Sequence, residues 1–385
     1  MKQIVVVGAS AGGLSTAEAL RRLGFAGSIT LIGDEAYLPY DRPPLSKQVL
    51  AGRLAANEVL LRSARQIEAL GLHLQLGVAA TGLDLSERVV RASHGSVPFD
   101  GLVVATGARP RSLPGASARG VHFVRTLEDA LALKESLVVG RRLVVVGAGF
   151  VGAEVAATAR GLGVDVTVLE PSPVPLARVL GPVLGGVIAS VHRSHGVDLW
   201  TGVGVREVCS SDGRVTGVRL SDGTVVGADV VVIGIGCVPN VEWLQDSGLQ
   251  LSDGLVCDSW CSAAPGIYGV GDVASWHNPL FGVPMRVEHR TNAAEQGMAV
   301  ARNLLGPPQP YAPVPYFWSD QYDLKIQAYG HLRDHDSVEV VGGDLDSRSF
   351  LAAYRRAGRL VGVVGVNVLP KTLRTWRAAI LEEWR

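Results

Sequence analysis

The 385-residue chain has no excess of either charge: 36 Lys and Arg stand against 36 Asp and Glu, and its pI is near 7.1. A chain without a basic field has no global means of drawing in nucleic acid or an anionic membrane surface, which leaves small or locally steered partners. It also lacks any apolar run near the roughly 20 residues that span a bilayer. Met1 and Lys2 lead straight into a strand pattern, so no targeting segment is expected and the protein reads as soluble. Cysteine is scarce: Cys209, Cys237, Cys257 and Cys261 form no C-x-x-C pair. That scarcity points to a reducing, cytoplasmic compartment and to thiols that act as small buried apolar groups. His289 has no His or Cys neighbour at ligand spacing, so no metal site is expected.

What the chain has in plenty is glycine, 47 residues, concentrated in turns after valine-rich runs. With 47% hydrophobic residues the length predicts two or three globular domains. Runs at residues 4–7, 29–32, 102–105, 143–146, 166–169 and 230–233 have the continuous apolar character of parallel strands buried on both faces. Helical patterns from Leu14 to Leu23 and from Val151 to Leu162 lie between them, which makes βαβ units.

One phrase occurs twice. "IVVVGASAGG" at 4–13 returns as "LVVVGAGFVG" at 143–152, each followed by an alanine-rich helix that ends near Leu-Gly and by another strand. The copies also close alike, with "LVVATGARP" at 102–110 and "VVVIGIGCVP" at 230–239, so whole domains are duplicated.

The chemistry of such a turn is specific. A strand must bend tightly into a helix so that unbonded backbone N–H groups and the positive helix end face a pyrophosphate. "GAGFVG", with Gly147, Gly149 and Gly152 around Val151, meets the full G-x-G-x-x-G pattern, and Glu170 ends the next strand. Glu170 can accept both ribose hydroxyls and would repel a 2′-phosphate, so NADH is expected over NADPH. The first copy, Gly8 to Gly13, has Ser10 where the middle glycine belongs, with Ala11, Gly12 and Gly13 opening the helix. Its acids, Asp34 and Glu35, follow the second strand directly. Two dinucleotide sites in one chain imply a flavin held permanently and a nicotinamide that visits. "GIYGVGDVA" at 266–274 adds Gly271 and Asp272 at a strand end. Asp272 is either a flavin ribityl ligand or the cap of the next helix.

"YDRPPLSK" at 40–47, "ATGARPR" at 105–111, "RTLEDA" at 125–130 and "GVGDVA" at 269–274 then occur in family order. The chain resembles oxygenase-coupled NADH-dependent ferredoxin reductases, in the glutathione reductase-like flavoprotein class with putidaredoxin and rubredoxin reductases and apoptosis-inducing factor. "YFWSDQYDLKIQAYG" at 316–330 and "GVVGVN" at 362–367 extend the likeness to the C-terminal domain. The resemblance implies an α/β fold of two Rossmann-like domains, one for FAD and one for NAD, plus a smaller α+β C-terminal domain. Its expected boundaries are 1–110 with 240–313 for FAD, 111–239 for NAD and 314–385 for the last domain, with Pro-rich 306–316 as linker.

Residue by residue, the resemblance puts Asp34 on the FAD adenosine ribose and Arg42, Lys47, Arg125 and Asp272 around FAD. It also counts Ala80, Thr106, Gly107 and Gly236 among the cofactor positions. Lys47 has a physical rationale of its own, since a cation near flavin N5 and O4 stabilises the charge that develops on reduction. Glu154, by the resemblance, faces the nicotinamide; by itself, a carboxylate there would simply favour the positive helix end. Lys47 and Glu154 are therefore the candidate catalytic groups. Glu288 and Arg290 lie where the family approaches flavin, although several relatives carry an aromatic at the position of Arg290. Trp318 is either an aromatic near the isoalloxazine or ordinary core.

"YLPYDRPPLSKQVLAG" at 37–52, where disulfide reductases of this fold keep a cysteine pair beside the flavin, contains no cysteine. Electrons must then leave for an outside acceptor, and a ferredoxin that takes one at a time suits a flavin that receives two. The expected reaction is NADH to FAD to a small iron–sulfur ferredoxin serving a terminal oxygenase. Alternative acceptors are rubredoxin, a quinone or dioxygen, and a different class is a redox-sensing FAD- and NAD-binding interaction protein. A disulfide reductase using Cys257 and Cys261 fails on their placement. The C-terminal stretch predicts a hairpin turning at Ala357-Gly358 and a helix with Trp376, Ile380 and Trp384 inward and Arg374, Arg377 and Arg385 outward.

Overall fold

The valine-rich runs become the central strands of two parallel sheets in the computed structural model, which describes residues 1–384. Contacts divide the chain into two units. The first comprises Met1–Asp41, Val59–Arg109 and Val238–Tyr316, and the second Arg42–Glu58, Pro110–Cys237 and the chain from Phe317 onward.

In the first unit β1 (Gln3–Val7) runs parallel to β2 (Ser28–Gly33) on one side and to Gly101–Val104 on the other, with Ile4 opposite Ile29 and Gly101. Ile4, Val5 and Val6 are wholly buried, as a strand covered on both faces requires. His73–Leu76 and the pair Ile267–Gly269 and Ser262–Ala264 complete six strands. Helix α1 (Ala11–Arg22) packs against the helix Arg290–Leu305, and Gly297 permits the approach: a Cβ there would stand 2.7 Å from the Gly12 carbonyl and the Thr16 hydroxyl.

The second unit repeats the plan. β3 (Arg142–Val146) lies parallel between β4 (Asp165–Glu170) and Val230–Ile233, and α2 (Phe150–Gly161) follows its turn. Helix α3 (Ala177–Ser194) is broken at Gly181, where φ is 72°, ahead of Pro182. Leu180, Leu184, Ile188 and Val191 of α3 share one core with Phe317, Ile326, Phe350 and Val364 of the C-terminal sheet. That sheet runs in the order β5 (Tyr316–Gln321), Leu324–Gly330, Arg359–Val366, Ser349–Arg356, Ser337–Asp344. Its hairpin turns at Ala357 and Gly358, both at positive φ (50° and 80°), which matches the right-handed strand twist. The helix Pro370–Glu383 buries Leu373 and Ile380 and exposes Arg374 and Arg377. Trp376 and Trp384 are only half-buried, and Arg385 lies outside the described residues.

One segment departs from the expected division. Residues 42–58, assigned from sequence to the first domain, belong by their contacts to the second unit. The reason is apolar: Leu45, Val49 and Leu50 are buried, and Leu50 joins Leu133, Leu143 and Val155 in one cluster. The contacts likewise place residues 317 onward with the 110–237 segment, through the core shared by α3 and the C-terminal sheet.

Candidate functional site

In the first unit the strand-to-helix turn after β1 holds Gly8 at φ +122°, where a Cβ would be driven into the Ala105 carbonyl and come within 2.9 Å of the Thr106 nitrogen. Gly8 is thus the point at which the turn meets the "ATG" segment. Ser10 caps α1 without a side-chain capping bond, and no acid occupies the first helical turn. The first amides of the helix therefore keep their donors and their positive field for an anion. Gly12 approaches Val270, and the Gly271 N–H donates to Gln296 Oε1 at 2.8 Å. These contacts gather Gly8 to Gly13, Thr106 and Gly271 at the carboxyl ends of the strands, the place where open α/β sheets bind ligands.

Asp34 is exposed directly after β2. Glu35 instead accepts from the Tyr40 hydroxyl. The Gly77 and Val78 amides donate to Glu35 and Gly33, which ties the chain leading to Ala80 to the same strand end. Thr106 spends its hydroxyl on the Asn240 carbonyl at 2.8 Å, and the Gly107 carbonyl accepts from the Asn240 amide. Glu288 pairs with Arg286 at 2.6 Å, and Arg286 also reaches the Asp272 carbonyl. Arg290 pairs with Asp41 at 2.6 Å, the residue before the Arg42 segment. Asp272 itself sits in a short 3₁₀ turn, Gly271–Val273, and caps no α-helix.

The turn in the second unit is stricter. Gly147, at φ +95°, would carry a Cβ 2.5 Å from the Gly234 carbonyl. Gly149 is different: the nearest protein atom to a Cβ there is 3.9 Å away, so packing within the protein does not demand glycine. A cradle that a side chain would fill and the protein does not is what close approach by a pyrophosphate requires. Glu170 is buried and divides its carboxylate between two backbone donors, Ala148 N–H at 2.7 Å and Ser172 N–H at 2.8 Å. One oxygen is thereby fixed to the glycine turn, and each keeps a lone pair for a ribose hydroxyl. Val151 is exposed at the start of α2, and Gly236 is exposed in the loop that precedes Cys237.

Lys47 and Glu154 come together as a buried ion pair at 2.7 Å. Lys47 lies on a π-helical turn, Leu45–Val49, closed by the Val49 N–H to Pro44 carbonyl bond at 3.0 Å, a geometry that often marks functional sites. Thr158 of α2 pins that turn through the Ser46 carbonyl, and Arg42 donates to the Arg125 carbonyl at 2.5 Å. The Glu154 carboxylate accepts three times: from Lys47 Nζ, from Ser46 Oγ at 2.5 Å and from Ser319 Oγ at 2.7 Å.

Ser46, Ser319 and Gln321 were not singled out from sequence. A signal exists for the latter two, because β5 reads Tyr-Phe-Trp-Ser-Asp-Gln and buries alternate residues. Phe317, Ser319 and Gln321 are buried while Trp318 is half-exposed on the opposite face, so two polar groups occupy core positions. Polar groups there imply partners. The thiols of Cys257 and Cys261 are buried and held above their ordinary range by desolvation, Cys261 to about 12, which makes them inert rather than redox-active. Among the described residues no cluster of His, Cys, Asp or Glu could hold a metal ion, and no helix is long and apolar enough to cross a membrane.

Known proteins resemble this chain along nearly its whole length. Residues 2–297 match the family model of pyridine nucleotide-disulphide oxidoreductases, and residues 316–384 match that of the reductase C-terminal domain. Rhodocoxin reductase from Rhodococcus erythropolis is 39% identical over 94% of this chain and 86% of its own length. The ferredoxin–NAD(+) reductase component of an anthranilate 1,2-dioxygenase system from Burkholderia cepacia is also 39% identical, over 94% of this chain and 90% of its own. Among solved structures, a covalent putidaredoxin reductase–putidaredoxin complex superimposes with a TM-score of 0.94 at 35% identity, covering 99% of this chain and 93% of that one.

Proposed function

The chain belongs to the pyridine nucleotide-disulphide oxidoreductase family, and from that premise we propose that it oxidises NADH and passes the electrons to a small iron–sulfur ferredoxin serving a terminal oxygenase. FAD, when bound, supplies the redox chemistry, taking two electrons from the nicotinamide and releasing them one at a time. The observation that carries the reading is the segment 37–52: where the resemblance places a cysteine pair in disulfide reductases of this fold it contains no cysteine, and it holds the buried Lys47. The protein's task is orientation, and no nucleophile or general base is required.

The proposed roles follow the two halves of the site. Gly8, Ser10, Ala11, Gly12, Gly13, Asp34 and Glu35 would hold the FAD adenosine diphosphate end, with Ala80, Thr106, Gly107 and Gly271 shaping its walls. Asp272, Arg42, Arg125, Glu288, Arg290 and Trp318 would serve the flavin end. Gly147, Gly149, Val151, Gly152, Gly236 and Glu170 would seat NADH. Lys47 would stabilise charge on the reduced flavin, and Glu154 would orient both the lysine and the nicotinamide. The proposed compartment is the cytoplasm, in keeping with thiols that form no disulfide among the described residues.

Anaerobic stopped-flow mixing tests the reading. Protein reduced with NADH is expected to reduce a [2Fe–2S] ferredoxin in steady turnover. Rapid reoxidation by air with no ferredoxin turnover, or a long-lived reduced complex inert to ferredoxin, rubredoxin and quinone alike, would overturn it.

A further inference from the structure

The carboxylate of Glu154 is the end of a longer polar chain inside the second unit. Ser319 Oγ, wholly buried, lies 2.7 Å from Glu154 Oε1. Gln321, also wholly buried, places Nε2 3.3 Å from Ser319 Oγ, and its Oε1 lies 3.0 Å from Nε2 of His192, which is 3% exposed. On the far side of His192, Tyr322 stands edge-on with its hydroxyl 3.5 Å from Nδ1, and exposed His195 stacks on Tyr322 at 3.8 Å.

Valence fixes the direction of every bond. Gln321 Nε2 can only donate, so Ser319 Oγ accepts from it and directs its single proton to Glu154. Gln321 Oε1 can only accept, so His192 donates from Nε2. The reverse orientation of the amide would take the serine proton for itself and leave Glu154 Oε1 without its donor. Each dipole therefore points its positive end at Glu154, and such chains strengthen one another in a low-dielectric interior. The charged and titratable groups facing the chain are Lys47 from the π-helical turn, His192 and His195 from α3 and its end, Tyr322 beyond β5, and Arg160 of α2, which donates to the His195 carbonyl. Burial depresses the pKa of His192, which keeps its ring a neutral donor near neutral pH.

We propose that Ser319, Gln321 and His192 form a positioning relay that holds the Glu154 carboxylate in place and aimed at Lys47. All three act through the carboxylate. Only the consequence for FAD rests on the function proposed above, since Lys47 must lie against the flavin for the relay to tune it.

The test separates the two claims by using the FAD-loaded protein with ¹³C-labelled glutamate side chains, the Glu154 signal being identified by its absence in Glu154→Gln. The Glu154 carboxylate is followed through its resonance as pH is lowered. Ser319→Ala is expected to raise its affinity for a proton about tenfold, the loss of one hydrogen bond to a carboxylate. Ser319→Thr, which restores a hydroxyl, is expected to restore the titration, and Gln321→Leu to move it in the same direction by less. An unchanged Glu154 titration in Ser319→Ala, or a shift that Ser319→Thr fails to reverse, overturns the relay. If Ser319→Ala does not fold, Gln321→Leu decides alone, and an unshifted titration there is equally fatal. The flavin midpoint potential of the same variants is read in parallel. A Glu154 titration that moves while the potential stays fixed upholds the relay and refutes contact between Lys47 and flavin.

Discussion

Glu154→Leu removes the acceptor of three donors at once. Lys47 and Glu154 side chains are 10% and 7% exposed, so the deletion leaves an ammonium buried with no countercharge, which typically costs about 3–5 kcal/mol. Lys47→Met is the milder change, because the carboxylate keeps Ser46 and Ser319, two charge-assisted donors. It is expected to cost about 2 kcal/mol, roughly the scale of one hydrogen bond to a charged group. The double variant removes both charges and leaves apolar groups of similar length, a replacement that in other proteins is close to neutral. The two singles should therefore fail to add, with a coupling of at least about 2 kcal/mol. Urea unfolding of the four proteins, followed by tryptophan fluorescence in excess FAD so that cofactor occupancy is equal, measures the cycle. Singles that add within about 0.5 kcal/mol would refute the claim that the pair is one buried electrostatic unit.

Other consequences are as direct. Gly8→Ala drives a methyl into the Ala105 carbonyl at a positive φ and is expected to yield protein purified without FAD, whereas Gly24→Ala, at φ +86° with nothing within 4 Å, should retain its absorbance spectrum. Glu170→Ala frees the Ala148 and Ser172 amides and is expected to raise KM for NADH about tenfold while KM for NADPH falls, as steady-state kinetics with both coenzymes would show. His192, His122 and His331 are all held below the ordinary imidazole pKa by burial. The unfolded chain therefore binds their protons first, and stability that is complete above the unfolded pKa near 6.5 declines as pH falls below it. Denaturation midpoints measured from pH 7.5 to 5 should fall, and His192→Gln should flatten the slope. Cys257 and Cys261 should be silent to a thiol reagent until urea unfolds the protein, and Cys257→Ser with Cys261→Ser should leave turnover intact.

How far the sequence reaches can be judged from particular residues. The six apolar runs all became parallel strands, because a strand covered on both faces needs continuous Val, Ile and Leu and little else in the chain can satisfy that. Gly8 and Gly147 were legible for a similar reason: a strand-to-helix turn at positive φ admits almost nothing else. The partners of Glu154 were not legible. Ser319 lies 165 positions from it and Ser46 108, and nothing in a serine's neighbours along the chain reveals which carboxylate it will meet.

By itself, then, the sequence determined what depends on local backbone geometry and on periodic burial. It set two glycine turns, the acids at the ends of their second strands, the Ala357-Gly358 hairpin and the absence of a dithiol from residues 37–52. Tertiary structure alone decided which unit receives residues 42–58, since nothing local to the segment reveals that Leu50 will pack with Leu133, Leu143 and Val155. It also decided that Lys47 is a buried, paired cation rather than a solvated one. Burial of a charge is a property of everything that surrounds it, and the three segments that surround this one meet only when the chain is folded.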